Sequence, residues 1–418
     1  MVKIGSYWLD YAYSPRSPLK KNIKTDVAII GGGITGVSAA FHLASRGIEC
    51  VLLEKSTIGS GSTGNSEGNL VPLPLGRFRE LVEKVGRKNA LDIYNASVSV
   101  IREMANLSKG RPDLSFHYTK KFVLATTRAQ AGLLKKEFKL TKACNIKSRF
   151  IPVPHKVIGA SKTFYGGLIY ESNFARINPA RFVRELATRS EKSVKIFENT
   201  PVKVIRRLKD GRFELSSSTH RVVCNTLIAA TETFSSEIAL KDKNFKSIGV
   251  VAAIAEPLDK NVLRKLKIDI NTRVIDTSEN YAAIGPISGN KISVTYEIRP
   301  KFLSAFRHIV EFPIIRNIAA YVVKHGLAKV FPLLEKSRID RIWGCKYAST
   351  KDMMPIIGRD PKNSNFLYSI GYGDHGLVFG FLGGKMLSEV YTKTQSRRTK
   401  KLLSLLKPKN GRNLTLKT

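Results

Sequence analysis

The apolar and polar positions near the start of the chain predict a βαβ unit. Residues 26–30 form a short apolar run that ends in three glycines, which is typical of a buried parallel strand. Residues 34–45 repeat their apolar positions at helical spacing, and Gly47 provides a stop signal for that helix. A second apolar run, residues 50–53, ends at Glu54. The pattern fits two parallel strands joined by a crossover helix, about 30 residues in all.

The rest of the chain continues this mixed pattern. Strands are predicted in two runs, over residues 194–230 and 247–297, and again at residues 366–370. Helices are predicted at residues 75–107 with a break near Gly86, 129–143, 179–190, 305–329 with a break near Pro313, and 377–391. With 418 residues the chain is long enough for two or three domains. We therefore predict an α/β fold whose domains interleave in sequence.

The composition excludes a disordered chain and a disulfide scaffold. Hydrophobic residues make up 43% of the sequence, which is enough to build cores. The four cysteines lie far apart with no CxxC pair, so neither a disulfide framework nor a zinc finger is expected, and a reducing, cytoplasmic compartment is favoured. No apolar run reaches the roughly 18–20 residues that span a bilayer. The first residues also lack the pattern of a signal peptide.

The chain is strongly basic, with 70 Lys and Arg residues against 33 Asp and Glu residues and a net charge of +37. Nucleic acid, an anionic membrane or an acidic partner would suit such a charge. The basic residues are spread along the chain, however, which favours a solvated surface. Only the tail after Val390 is purely basic. The leucines among the lysines of residues 399–407 leave open a short interfacial helix at a membrane, with a frayed tail as the alternative.

A glycine motif follows the first predicted strand. Gly31, Gly33 and Gly36 fit GxGxxG and open the predicted helix, and Glu54 follows 18 residues after Gly36. In this context Gly31 permits a tight turn, Gly33 lets a pyrophosphate approach the backbone, and Gly36 lets helix and strand pack closely. The helix N-terminus offers free N–H groups to phosphates. Glu54 would accept hydrogen bonds from a ribose, which argues against a 2′-phosphate, so the motif predicts FAD or NAD.

A second glycine-rich element near the C-terminus favours FAD. Residues 371–376 read GYGDHG, follow a predicted strand and precede a predicted helix. A long cofactor held by both ends of the chain explains this arrangement. A helix N-terminus near the far end would also stabilise negative charge on a reduced flavin. A second tight turn without a ligand is the alternative.

With these two motifs, the sequence resembles the FAD-dependent D-amino acid oxidase superfamily over nearly the whole chain. The resemblance includes its glycine oxidase, sarcosine oxidase and γ-glutamylputrescine oxidase-like branches. Four weaker motifs also occur in the order expected for the family. They are SYWLD at 6–10, IGSGSTGNSEG at 58–68, ATETFS at 230–235, and WG at 343–344 followed by Thr350, Asp352 and PIIG at 355–358.

The resemblance implies a Rossmann-type FAD-binding domain interleaved with a substrate domain built on a mixed, mostly antiparallel sheet. The implied FAD-binding segments are residues 1–75, 161–244 and 338–392. The implied substrate-domain segments are residues 76–160 and 245–337, and residues 393–418 form a basic tail.

The resemblance also implies which residues contact the cofactor, and no metal site is expected. The implied contacts are Gly31, Gly33, Ile34, Thr35, Gly36, Glu54, Lys55, Ser62, Thr63, Asn65, Val202, Ala230, Cys345, Gly371, Gly373, His375 and Gly376. In sarcosine oxidase-like members a cysteine at the position of Cys345 forms a thioether to the flavin, and Lys346 would favour a thiolate here. An unlinked small residue facing the flavin is the alternative.

Three residues are candidates for catalysis. His375 would contact the flavin or polarise a substrate group, with a packing histidine as the alternative. Lys291 and Tyr281 lie in the second run of strands, which is expected to face the flavin across the substrate cavity. Lys291 would assist oxygen as a cation near the flavin, and a surface lysine is the alternative.

Several positions depart from the family pattern. Val378 replaces a lysine that binds the substrate carboxylate in sarcosine oxidase-like members, and Arg77 and Arg79 are weak candidates for the arginine that shares this task. Ser66 and Glu67 stand where a basic and a small residue are common. The depletion of acidic residues and the missing lysine at Val378 slightly favour an amine or N-substituted substrate over a plain amino acid.

The implied activity is oxidation of the C–N bond of an amine or amino acid by hydride transfer to FAD. The imine then hydrolyses, and the electrons pass to oxygen or to an electron-transfer carrier. Two alternatives remain open from the sequence: a tRNA-modifying flavoenzyme, and a membrane-associated respiratory-chain amino acid dehydrogenase. A nucleic-acid partner is not favoured, because no clustered aromatic and basic module is visible.

Overall fold

The computed structural model describes residues 2–238, 240–241, 245–278, 282–297, 313–407 and 414–416. Within these ranges the strands are β1 Lys3–Ile4, β2 Ile23–Ile30, β3 Cys50–Leu53, β4 Asn69–Leu70, β5 His117–Ala125, β6 Ser148–Ile151, β7 Gly166–Arg176, β8 Val194–Phe197, β9 Val204–Arg207, β10 Phe213–Ser216, β11 Arg221–Ala229, β12 Leu240–Lys241, β13 Phe245–Ala255, β14 Thr272–Asp276, β15 Ala282–Ile287, β16 Lys291–Glu297, β17 Ile339–Thr350, β18 Ile356–Arg359, β19 Phe366–Ile370 and β20 Thr415–Leu416. The α-helices are α1 Ile34–Ala44, α2 Phe78–Val85, α3 Arg87–Leu107, α4 Arg128–Ala143, α5 Pro154–Val157, α6 Pro179–Ser190, α7 Lys260–Leu266, α8 Pro313–Val330, α9 Gly376–Thr392 and α10 Arg397–Leu406.

The smaller of the two main sheets contains the predicted βαβ unit. Its strand order is β18–β19–β11–β2–β3–β8, and β9 and β10 extend it beside β11. The neighbours β19, β11, β2, β3 and β8 pair in parallel. Residues 27–30 of β2 are all buried, as expected for a parallel strand that is covered on both faces. The prediction of a dinucleotide-binding type of sheet near the N-terminus is confirmed.

The larger sheet is mixed. Its order is β1–β17–β13–β16–β15–β14–β5–β7–β4, with β6 paired to β7. The neighbours β17, β13, β16, β15 and β14 are antiparallel, whereas β14 and β5 are parallel. One face packs on α8, where Val323 and Leu327 share a core with Ile284 and Val294. Because strand residues alternate between faces, the next residues along face the other way. The predicted α/β class with a mixed, mostly antiparallel second sheet is confirmed.

The boundaries of the predicted domain division remain predictions. The larger sheet includes β7 and β17, which the division assigns to FAD-binding segments. Each of these strands precedes a connection that crosses to the smaller sheet, so these two crossings come later in the chain than residues 161 and 338.

Helices α1 and α9 bring the two glycine-rich elements together. A Cβ atom at Gly384 would lie 2.4 Å from the carbonyl oxygen of Thr35, and one at Gly380 would lie 2.7 Å from Thr35 Oγ1. Ser38 Oγ donates a hydrogen bond of 2.7 Å to the carbonyl oxygen of Phe381. The glycines therefore permit a backbone contact between the first helix of the chain and one near its end.

The basic tail contains a packed helix. The Ser396 side chain caps α10 by accepting a hydrogen bond from the Thr399 N–H group. Leu402 and Leu406 are buried in the main core, and Lys401 forms an ion pair with Asp92 of α3. The protein itself covers the apolar face, so neither a frayed tail nor a free interfacial helix describes residues 397–406.

Among the helices that the structure describes, none is long and apolar enough to cross a bilayer.

Replacing Gly384 with alanine should destabilise the protein, because the new Cβ would lie 2.4 Å from the Thr35 carbonyl oxygen and 2.6 Å from the Ala39 nitrogen. Overpacking of this kind costs about 1–3 kcal/mol. Gly132→Ala is the control, since a Cβ on this α4 residue has nothing within 4 Å. It should stabilise the helix by roughly 0.5–1 kcal/mol. Urea denaturation measures both variants, and equal free energies of unfolding would contradict the proposed packing.

Candidate active site

A cavity of about 450 Å³ is lined by residues from both sheets and from both ends of the chain. This volume lies within the range typical of ligand sites. The predicted cofactor-binding residues that line it are Gly31, Gly33, Ile34, Thr35, Glu54, Lys55, Ser62, Thr63, Asn65, Val202, Ala230, Gly373, His375 and Gly376. The structure thus brings most of the predicted site residues to one place.

Glycines shape the turn between β2 and α1. Gly31 has a φ of +107°, and a Cβ there would lie 2.4 Å from the carbonyl oxygen of Ala230. A Cβ at Gly36 would lie 1.9 Å from the Gly31 carbonyl oxygen, so Gly36 serves the packing of the helix on the turn. Gly33 is the N-cap of α1 and has no capping side chain. The first turn of α1 therefore presents backbone N–H groups and the positive end of its dipole at the cavity.

Glu54 is fixed beside this turn at the end of β3. Its Oε2 accepts a hydrogen bond of 2.6 Å from the Gly32 N–H group, and its Oε1 accepts one of 2.8 Å from Ser56. Burial raises the pKa of Glu54, and the two backbone hydrogen bonds oppose that shift. Next along the chain, Lys55 Nζ lies 3.5 Å from the centre of the Phe234 ring.

The loop after β3 is held in place by polar contacts. Asn65 Nδ2 donates to two carbonyl oxygens of the same loop, both at 2.9 Å. Thr63 Oγ1 accepts a hydrogen bond of 3.0 Å from the Ile34 N–H group. Ser62 Oγ donates to the Lys346 carbonyl oxygen at 2.8 Å. These contacts tie the loop to α1 and β17, which makes it a firm wall for a ligand.

The C-terminal glycine element is attached to α1 as well. Tyr372 Oη lies 3.0 Å from Thr35 Oγ1 and donates to Ser369 Oγ at 2.8 Å. Gly371 has a φ of +78° and donates its N–H to Glu232 Oε2 at 3.1 Å. Within the described residues Gly371 lies outside the cavity lining, so its contribution is to shape the turn.

His375 lines the cavity at the start of α9. The side chain is buried, and its Nε2 lies 3.2 Å from Asp374 Oδ1. Burial lowers the pKa of His375 and outweighs the opposite effect of the Asp374 carboxylate. The imidazole is therefore neutral at pH 7, and a neutral ring can donate one hydrogen bond and accept another. Both roles predicted for His375, at the flavin and at a substrate group, remain predictions.

Three other predicted site residues are not described as part of the cavity lining. Lys291 Nζ pairs with Asp340 at 2.9 Å, and within the described part of the chain Lys291 does not line the cavity. This ion pair agrees with the alternative of a surface lysine. Tyr281 lies outside the described residues, and so does the side chain of Cys345, whose backbone pairs with Val250. Their roles at the flavin remain predictions.

The arginines next to the cavity are not those that the sequence analysis considered. Arg77 and Arg79 pair with glutamates of α2. Arg176 and Arg273 are buried instead, and Arg273 pairs with the cavity residue Glu67. Apolar residues flank Arg176 in ARI at 175–177 and follow Arg273 in RVI at 273–275. Arg273 also falls within a predicted run of strands, where a buried charged residue is rarely left without a partner, and this signal could have identified it.

Lys121 of β5 is a buried cation near the C-terminal glycine element. Its Nζ donates to the Gly76 carbonyl oxygen at 3.2 Å and lies 5.6 Å from the centre of the Phe174 ring. Burial lowers the pKa of Lys121 to about 8, and the Asp374 carboxylate opposes the shift. The charged ammonium therefore destabilises the folded state relative to the unfolded chain.

Lys121→Met should change how stability depends on pH. The pKa of Lys121 is about 8 in the folded state against 10.5 for a free lysine. Between these pH values the unfolded state binds more protons, so wild-type stability rises with pH across this window and is lower below it. Methionine removes the buried charge, so at pH 7 the variant should be more stable by up to about 3 kcal/mol, and the rise should disappear.

Urea denaturation between pH 7 and 10.5 measures this effect. Lys120→Met, at the exposed neighbouring position, is the control and should keep the wild-type pH dependence. An unchanged rise in Lys121→Met would contradict the assignment.

Comparison with known proteins places these features in a family. The model of the FAD dependent oxidoreductase family DAO matches residues 26–390. The chain is 24% identical to γ-glutamylputrescine oxidoreductase of Escherichia coli (strain K12) over 393 residues, which cover 90% of this chain and 86% of that protein. It is also 24% identical to glycine oxidase of Bacillus subtilis (strain 168) over 369 residues, covering 87% and 92%.

A solved structure shows the same fold. Glycine oxidase from Geobacillus kaustophilus superposes with a TM-score of 0.72 at 17% sequence identity, covering 90% of this chain and 96% of that one. The family match extends from the strand before the first glycine motif to the helix after the last one. The chain therefore belongs to the DAO family of FAD-dependent oxidoreductases.

Proposed function

We propose that this protein oxidises the C–N bond of an amine or an amino acid and that the resulting imine hydrolyses in water. When bound, FAD supplies the redox chemistry by accepting a hydride from the carbon next to the nitrogen. The electrons then pass to oxygen or to an electron carrier. The observation that carries the proposal is the shared cavity: it joins the glycine turn of a dinucleotide site to a chamber under the larger sheet.

The residues of the first βα turn fit the cofactor. A Cβ at Gly31 would lie 2.4 Å from a backbone oxygen, so this position requires glycine, and one at Gly33 would make a tight contact of 3.2 Å with Thr63 Oγ1. The N–H groups at the start of α1 would hold the pyrophosphate. Glu54, at the end of β3, occupies the place from which a carboxylate binds a ribose hydroxyl in such units.

The chamber suits a small substrate. Its wall on the larger sheet consists mainly of small apolar side chains: Val250, Ala252, Ile275 and Ala283. Such a wall leaves room for a substrate beside the cofactor and limits the access of water. The neutral imidazole of His375, at the start of α9, can orient a substrate group without adding a charge.

The relatives and the charges of the lining support the substrate class. The relatives named above include an oxidoreductase of γ-glutamylputrescine and oxidases of glycine. In the part of the lining that the structure describes, the ionised side chains near the C-terminal element and the larger sheet are acidic: Glu67, Glu232 and Asp374. Acceptor oxygens suit a nitrogen with N–H groups, so this lining favours an amine.

The flavin spectrum of the purified protein tests the proposal. Anaerobic addition of N-methylated amines, diamines and amino acids should bleach the bound flavin with one class of compound, and air or an artificial acceptor should restore the colour. Carboxylic acids that lack nitrogen are the control and should leave the spectrum unchanged. A protein that binds FAD but is reduced by none of these nitrogen compounds would contradict the proposed reaction.

Gly31→Ala should abolish FAD binding, because its Cβ would collide with the Ala230 carbonyl oxygen in a turn whose φ is +107°. Gly47→Ala is the matched control. Gly47 also has a positive φ, of +71°, but a Cβ there has nothing within 4 Å. The ratio of flavin to protein absorbance measures the outcome. Normal FAD content in Gly31→Ala would show that this turn is not the cofactor cradle.

A further inference from the structure

Glu67 offers one carboxylate oxygen to the cavity. Its Oε2 accepts hydrogen bonds from Arg273 Nη2 and Asn69 Nδ2. Among the described residues, none donates to its Oε1. Glu67 and Asn69 both line the cavity. A carboxylate that is anchored through one oxygen keeps the other as an acceptor for a ligand.

Two buried guanidinium groups stand behind Glu67. Arg273 of β14 and Arg176 of β7 are 4% and 3% exposed, respectively. Both donate to the Ser293 hydroxyl, at 2.9 and 2.8 Å. Gly285 leaves the space that Arg273 occupies, since a Cβ there would lie 2.6 Å from its Nη1. The Nε–H groups of both arginines have no partner in the described structure. Buried charges with unmade hydrogen bonds are costly, so stability alone does not explain the pair.

The cluster of Arg176, Arg273 and Glu67 carries a net positive charge, because arginine stays protonated. Other charged or titratable groups nearby include Tyr7, His117, Lys121, Asp374 and His375. Burial lowers the pKa of both histidines, so they are neutral at pH 7. The Asp374 carboxylate offsets the charge of Lys121, and Glu232 adds a further carboxylate to the lining. The charges around this end of the cavity therefore largely balance.

We propose that Glu67 Oε1 accepts an N–H group of the substrate amine, and that Arg273 and Asn69 hold the carboxylate in place through its Oε2. The proposal rests on the proposed function, because it places the substrate nitrogen in the same chamber. It assigns this chain an amine-orienting residue at a loop position that the sequence analysis treated only as a departure from the family pattern.

The proposed reaction requires an oriented amine that has lost its extra proton. A free alkylamine is an ammonium ion at pH 7, as a lysine side chain is. Loss of a hydride from the neighbouring carbon needs the nitrogen lone pair, so the ammonium must first release a proton to water. A carboxylate in contact with the nitrogen accepts N–H groups from the ammonium and from the neutral amine alike. Glu67 can therefore hold the nitrogen before and after it releases its proton.

The lining argues against a substrate carboxylate at this end. In the described lining Glu67 reaches the cavity, whereas Arg176 and Arg273 do not. A carboxylate that entered would meet another carboxylate first. The Thr295 hydroxyl and Asn69 Oδ1 are buried without a partner, and both residues line the cavity. Together with Glu67 Oε1 they form a set of acceptors that matches a donor such as an amine.

Anaerobic calorimetry of butylamine and butyrate binding to the FAD-loaded protein tests the proposal, and the flavin absorbance shows whether butylamine is also oxidised. Wild type should bind butylamine more tightly than butyrate. Glu67→Gln keeps the volume and should weaken butylamine binding by about tenfold or more.

Glu171→Gln is the matched control. Glu171 lies on β7 with Arg176, is exposed and pairs with Arg149, and its variant should bind butylamine as wild type does. Flavin content and thermal unfolding show whether each variant is folded. If Glu67→Gln loses FAD, Glu67→Asp replaces it. This variant keeps the charge beside Arg273 but withdraws Oε1, so it should also weaken butylamine binding.

Several results would overturn the proposal. They are unchanged butylamine affinity in the Glu67 variants and absence of butylamine binding to wild type. Tighter binding of butyrate by Glu67→Gln than by wild type would make this end an anion site instead. These failures differ from failure of the proposed function, which is loss of flavin reduction by every nitrogen compound.

Discussion

Helices α1 and α9 touch backbone to backbone because glycines stand where side chains would otherwise separate them. Gly380 and Gly384 place α9 against Thr35, and the Tyr372 hydroxyl adds a hydrogen-bonding contact to the same threonine. The first turn of α1 and the C-terminal glycine element consequently face one cavity. A ligand of dinucleotide length can then be held at one end by an early part of the chain and at the other end by a late part.

The larger sheet forms another wall of the cavity through the alternation of its side chains. Its strands alternate between a face that packs on α8 and a face that lines the cavity. Small residues such as Ala252 and Ala283 keep the cavity face open, and Gly285 gives room to a buried arginine. The same alternation that builds a hydrophobic core on one side of the sheet therefore builds a wall of the cavity on the other.

Local patterns predicted the fold and the glycine turn that lines one end of the cavity, because that turn is formed by residues close together in sequence. Gly31, Gly36 and Glu54 lie within one βαβ unit, so spacing alone indicated their roles. The chamber end could not be derived in this way. Glu67, Arg176 and Arg273 come from a loop and two distant strands, and only strand register brings them together. The tail helix was missed for a similar reason: the surface that covers Leu402 belongs to the main core.

The contact between α1 and α9 also has a consequence for biosynthesis. Ser38 and Phe381 are hydrogen-bonded, yet they are 343 residues apart in the chain. A ribosome releases α1 long before it makes α9, so the apolar side of the first βαβ unit waits for its partner during most of translation. Long-range contacts of this kind slow folding and leave apolar surface open to aggregation. Helix α6 also packs on α1 and can cover part of this surface earlier, but both glycine-rich elements are present together only near the end of synthesis.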